Sequence, residues 1–166
     1  MGPALESFAV WLRETQMSEA IRVLPWLWPV GEILHFFGLS LLVGVAGFFD
    51  LRLLGFMRRV PLDAAWSLMP WARIGFGISA ATGVMFFVGA PDQYVSNLAF
   101  VMKLIFLLIA GGNALYFEVA YGKRVAESRD GEDPPRAYKG IAAVSLVSWF
   151  CVVYWGRMLP FIGNAF

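Results

Sequence analysis

The sequence predicts an all-α membrane protein: a four-transmembrane-helix bundle with an N-terminal amphipathic helix lying at the membrane interface. Composition is the first reason. Of 166 residues, 59% are hydrophobic and 15% charged, where a soluble domain carries about 45–50% and about 25%. A chain this short buries only roughly 60–70% of its extended surface, so the apolar excess needs lipid as its solvent. The second reason is that this excess falls into four runs, each close to the roughly 20 helical residues that cross a bilayer. The third is that no alternating, barrel-like segments occur; lipid satisfies no free backbone group, which leaves helices as the spanning form.

The elements follow in chain order. In residues 5–24, LESFAVWLRETQMSEAIRVL, the apolar positions Leu5, Phe8, Val10, Leu12, Met17, Ile21 and Leu24 recur at roughly helical spacing among Glu6, Arg13, Glu14, Glu19 and Arg22. Such a segment is too polar to span and suits the interface. Trp26 and Trp28, between Pro25 and Pro29, mark an aromatic belt at headgroup level, as do Tyr154 and Trp155. The spans are expected at about 30–54, 71–90, 98–121 and 140–161. Gly75, Ser79 and Gly83 form a smooth stripe on the second span; Ala110 and Ala114, beside Gly111 and Gly112, do so on the third, and Gly44 and Gly47 thin the first. Small residues let helices approach in lipid, where apolar contact alone gives no drive. No internal repeat or boundary appears, so residues 1–166 read as one integral membrane domain.

Lysine and arginine set the expected orientation. Arg52, Arg58, Arg59, Arg73, Lys123, Arg124, Arg129, Arg136 and Lys139 fall on one side, whereas Arg13, Arg22, Lys103 and Arg157 fall on the other. The richer side faces the cytoplasm. The expected location is therefore a bacterial inner membrane, multi-pass, with both termini periplasmic. ESRDGEDPPR, residues 127–136, reads as a solvated cytoplasmic connection ending in a Pro-Pro stop.

Ionisable groups inside spans are costly and mark candidate sites. Glu32 and His35, the one histidine of the chain, lie three residues apart near the outer end of the first span and share a helix face. Met85 on the second span, Met102 and Lys103 on the third, and Arg157 and Met158 on the fourth fall at similar depth. One layer thus gathers an imidazole, a carboxylate, thioethers and two cations. Soft thioethers with imidazole select copper, so the expected metal ligands are His35, Met102, Met85 and Met158, with Glu32 bracing the imidazole. The alternative cofactor is haem b, with His35 as an axial ligand opposite a methionine or the same residue of a second chain. Without any cofactor, the same layer serves as an anchor in which Glu32 pairs with Lys103, while Lys103 and Arg157 reach toward headgroups.

A second polar set sits toward the cytoplasm: Asp50, Arg52, Arg73 and Glu118 match in depth. Asp50 with Arg73 and Glu118 with Arg52 are the expected ion-pair brace. Asn113 and Thr82 lie near mid-membrane, suited either to an interhelical hydrogen bond or to lining a cavity. Net charge of +1 gives no footprint for nucleic acid, and Cys151, the single cysteine, excludes an intrachain disulfide and every paired-cysteine metal motif. No HExxH, GxSxG or phosphate-cradling loop is present. An autonomous enzyme is not expected.

EILHFFGLSLLVG, followed by LRLLG, the Thr82-Gly83 pair and LAFVMKLIFLLIAGGNA, resembles an uncharacterised family of small bacterial inner-membrane proteins over most of residues 25–120. More loosely, LHFFGLSLLVG with a lysine early in a later span is similar to CopD-like copper-resistance and cytochrome b561-type membrane proteins. That resemblance implies a redox metal, with His35 as a ligand. The expected function is binding or handing on copper at the periplasmic face. A haem-dependent electron-transfer subunit is the alternative, and a non-catalytic accessory or anchor subunit a third. The expected partners are the lipid bilayer and either a second copy of the chain or a partner membrane subunit.

Overall fold

The computed structural model describes residues 3–127 and 134–162. The described residues form eight α-helices and a final 3-10 turn, with no strand. Four helices are long and apolar enough to cross a membrane: α3 (Leu27–Leu54), α5 (Met69–Gly89), α7 (Leu98–Ala126) and α8 (Arg136–Met158). The short helices are α1 (Pro3–Arg13), α2 (Gln16–Val23), α4 (Leu62–Trp66) and α6 (Pro91–Val95), and Leu159–Phe161 is the 3-10 turn. The four expected spans are all present, each shifted by a few residues at its ends. Most of ESRDGEDPPR lies outside the described residues.

The expected single interfacial helix is two helices. Thr15 breaks it: its hydroxyl accepts from Ser18 N at 3.3 Å and caps α2, while Arg22 reaches back to Arg13 O at 3.0 Å. Side-chain capping competes with helix continuation at such a residue. Arg13 forms an ion pair with Asp92, tying α1 to α6. At the same end Asn97 caps α7 by accepting from Ala99 N and donates to Leu159 O at 3.0 Å. Both described chain ends therefore gather at one end of the bundle, and α4 packs at the opposite end. There Gly55 stops α3 in a left-handed conformation, φ 99°, as helix C-termini favour.

The bundle has one tight seam. At Gly38 a Cβ would lie 2.8 Å from Gly75 O, and at Gly75 it would lie 2.6 Å from Gly38 O, so α3 and α5 cross backbone to backbone. Small-residue packing was expected of Gly75 and Ser79; their partner on α3 is Gly38. Gly44, by contrast, has no atom within 4 Å of a would-be Cβ, and Gly47 makes only ordinary contact. On α7 Ala110 is fully buried, but Gly111 and Gly112 face open space. α5 packs along α3, α3 along α8, and α8 along α7. α5 and α7 meet through side chains near their two ends, by the Phe87–Phe100 stack (5.6 Å) and by Arg73 on Glu118.

Gly38→Ala is expected to cost about 1–3 kcal/mol, the usual penalty of overpacking. Gly44→Ala is expected to be neutral or slightly stabilising, since its new methyl meets no atom within 4 Å. Unfolding of both variants in lipid bicelles, followed by circular dichroism, checks the contrast.

Candidate functional site

The seam places His35. Four residues after Gly31 and three before Gly38, it sits half-buried on the face of α3 that meets α5. Thr82 Oγ1 lies 2.9 Å from His35 Nδ1. The threonine hydroxyl is also 2.8 Å from Ile78 O, to which it donates its single proton. Nδ1–H of the ring must then be the donor to Thr82, so the neutral imidazole keeps its lone pair on Nε2. Ser79 Oγ donates to His35 O at 3.2 Å, and the Phe86 ring meets the imidazole edge-on at 5.6 Å. Gly83 stands 3.7 Å from ring Cε1, counted from a would-be Cβ. The ring is thus turned into the bundle and fixed from three positions on α5.

Of the expected companions, two are nearby. Met85 lies over Gly31, with its Sδ 3.4 Å from a would-be Cβ one turn before His35. Lys103 is close enough for its charge to be felt at the imidazole, and its Nζ rests 3.6 Å from a would-be Cβ of Gly156, whose missing side chain makes the room. Glu32 is not a companion. Its carboxylate accepts from Trp28 Nε1 at 3.2 Å on its own helix and is exposed, so it neither braces the imidazole nor pairs with Lys103. It faces Tyr94 instead, whose phenol is pushed up to about 12 by burial and, secondarily, by the Glu32 charge. Met102 and Met158 are half-buried, and neither is placed in contact with the ring. Arg157 is exposed and sits over Phe161, 5.2 Å from the ring centroid. Among the described residues no three His, Cys, Asp or Glu side chains converge as a metal site.

The second polar set is paired differently from the expectation. Arg73 donates to Glu118 Oε1 at 2.7 Å across the α5–α7 gap. Asp50, 5% exposed, has the Ser145 hydroxyl as its hydrogen-bond donor, and its Oδ2 has no partner. Arg52 is fully buried: Nε donates to Val60 O, and its two terminal nitrogens are without a partner. Asp50 and Arg52 are two residues apart and so point to different sides of α3. Asn113 and Thr82 each make an interhelical hydrogen bond. Asn113 Nδ2 donates to Ile141 O at 3.1 Å, joining α7 to α8, whereas Thr82 serves His35.

Asp50, Ser145, Asn113, Arg73 and Glu118 all line one cavity of about 310 Å³ on the α4 side of the bundle. Its lining residues come from α3, α4, α5, α7 and α8. Three partners were missed in the sequence: Trp28, Ser145 and Phe86. Ser145 was within reach of sequence reasoning, since it lies on the fourth span on the same side as Asp50.

No family model, curated protein or solved structure matches this chain.

Thr82→Val removes the acceptor of the imidazole Nδ1–H and is expected to destabilise the bundle by roughly 1 kcal/mol, the usual worth of a polar contact between spans. Thr82→Ser is expected to retain most of it. Unfolding titrations of both variants in mixed micelles provide the comparison.

Proposed function

We propose that this is a non-catalytic, multi-pass bacterial inner-membrane protein, both termini periplasmic, that binds or hands on copper from the outer side of the membrane. The orientation rests on the nine cations flanking the α4 end against four at the other. The copper reading rests on one observation: the hydrogen bond to Thr82 takes Nδ1–H of His35 and so puts the ring's lone pair on Nε2, while the Met85 thioether of α5 lies over Gly31, one turn before His35 on α3. An oriented imidazole and a thioether form a soft donor pair that suits Cu(I). The neighbouring Lys103 opposes a divalent ion more than a monovalent one. Of the ligands expected from sequence, His35 and Met85 carry the proposal; Glu32 is engaged elsewhere, and Met102 and Met158 are not used. The loose similarity to CopD-like proteins points the same way.

Haem b fits these residues less well. The chain has one histidine, and the cavity of about 310 Å³ contains none, so axial ligation would draw on a second chain. An accessory or anchor role has its own support in α7, where Gly111 and Gly112 face open space and leave a smooth surface for a neighbouring helix.

Anaerobic loading with Cu(I) followed by elemental analysis tests the proposal. One copper per chain is expected for the wild type and for Met102→Ala, with loss in His35→Ala and in Met85→Leu. Unchanged stoichiometry in His35→Ala contradicts it, a Soret band in the purified protein replaces copper with haem, and stoichiometric copurifying subunits favour the accessory role.

A further inference from the structure

The cavity on the α4 side holds a combination that the His35 site does not explain. Its floor carries Asp50, 95% buried by its 5% exposure, with Oδ2 unpartnered. Its walls are aromatic. Phe49, Trp66 and Phe117 contact one another with ring centroids 5.4–6.0 Å apart, and Trp149 lines the cavity as well. At the mouth, Arg73 and Glu118 neutralise each other, so Asp50 is the acid left without a counter-charge. A carboxylate amid ring faces is the chemistry that recognises an organic cation: the acid supplies the charge, and the rings attract ammonium through their quadrupoles. An anion is disfavoured by the acid, and a plain hydrocarbon leaves Oδ2 unsatisfied. The volume lies at the small end of the roughly 300–1,000 Å³ typical of ligand pockets, which limits the ligand to a compact molecule. Its lining is largely apolar and is drawn from helices that span the membrane, which suits a lipophilic ligand dissolved in the bilayer.

We propose that the cavity between α5 and α7 binds a small lipophilic ammonium cation, held by the Asp50 carboxylate against the Phe49, Trp66, Phe117 and Trp149 rings. The site is separate from His35 and does not depend on the copper reading.

The test uses the full chain in a non-ionic detergent and tritiated benzyltrimethylammonium as the probe, measured by equilibrium dialysis. Its uncharged isostere, neopentylbenzene, serves as competitor. The expected result is saturable binding of one probe per chain that the isostere does not displace. Asp50→Asn, which retains a hydrogen-bonding group beside Ser145, is expected to weaken binding at least tenfold. Gly111→Leu guards against a folding failure in that variant. Gly111 lines the cavity, and its would-be Cβ meets no atom within 4 Å, so the leucine grows into the opening without displacing packed atoms. It is expected to block the probe to a similar extent, while Gly44→Ala, away from the cavity, binds as wild type. Size-exclusion and thermal-melting profiles verify that each variant is folded. Absence of saturable binding, equal displacement by the isostere, or wild-type affinity in a folded Asp50→Asn or Gly111→Leu variant overturns the proposal.

Discussion

The backbone contact between Gly38 and Gly75 governs the architecture. With would-be Cβ atoms 2.6–2.8 Å from the opposite carbonyl oxygens, no side chain larger than hydrogen fits at either position without movement. Contact at that range brings Ser79 to His35 O and Thr82 to the imidazole one turn further on. It also commits α5 to α3. Since α7 in turn packs along α8, α5 and α7 meet through the Phe87–Phe100 stack and the Arg73–Glu118 pair, with a cavity lined by both helices beside that pair. One close approach thus accounts for both the enclosed imidazole and the cavity on the far side of the bundle.

Lipid makes hydrogen-bond satisfaction a strict condition, because no water replaces a missing partner. Most polar groups within the spans meet it through another helix: His35 through Thr82, Asn113 through Ile141 O, Arg73 through Glu118. Two buried groups do so only in part. Asp50 keeps an oxygen and Arg52 two terminal nitrogens without a hydrogen-bond partner, and Asp50 is among the residues that line a cavity. Where a fold tolerates an unpaired buried acid beside empty space, a binding role is the economical physical reason.

The spans were legible in the sequence because apolar length in lipid admits little but a helix, and the four runs fall where α3, α5, α7 and α8 lie. The position of each polar residue along its own helix was legible too, since rise per residue fixes it. Azimuth was not. Glu32 and His35 share a face by spacing, yet the indole of Trp28, one turn earlier, takes the carboxylate. Asp50, Arg73 and Glu118 match in depth, but which acid meets Arg73 depends on how α5 and α7 rotate about their axes. The α3 partner of the Gly75 stripe was hidden for a related reason. Several glycines on α3 are equivalent in sequence, and only the crossing point separates Gly38 from Gly44.

The α3–α5 seam turns the imidazole into the protein and onto Thr82. Solid-state NMR of the chain in lipid bilayers, labelled at histidine and threonine, tests it with no ambiguity of assignment on the histidine side, because the chain contains one histidine. Through-space correlations between the ring of His35 and the Thr82 side chain are expected. Correlations of the ring with lipid acyl chains, and none with Thr82, would contradict it.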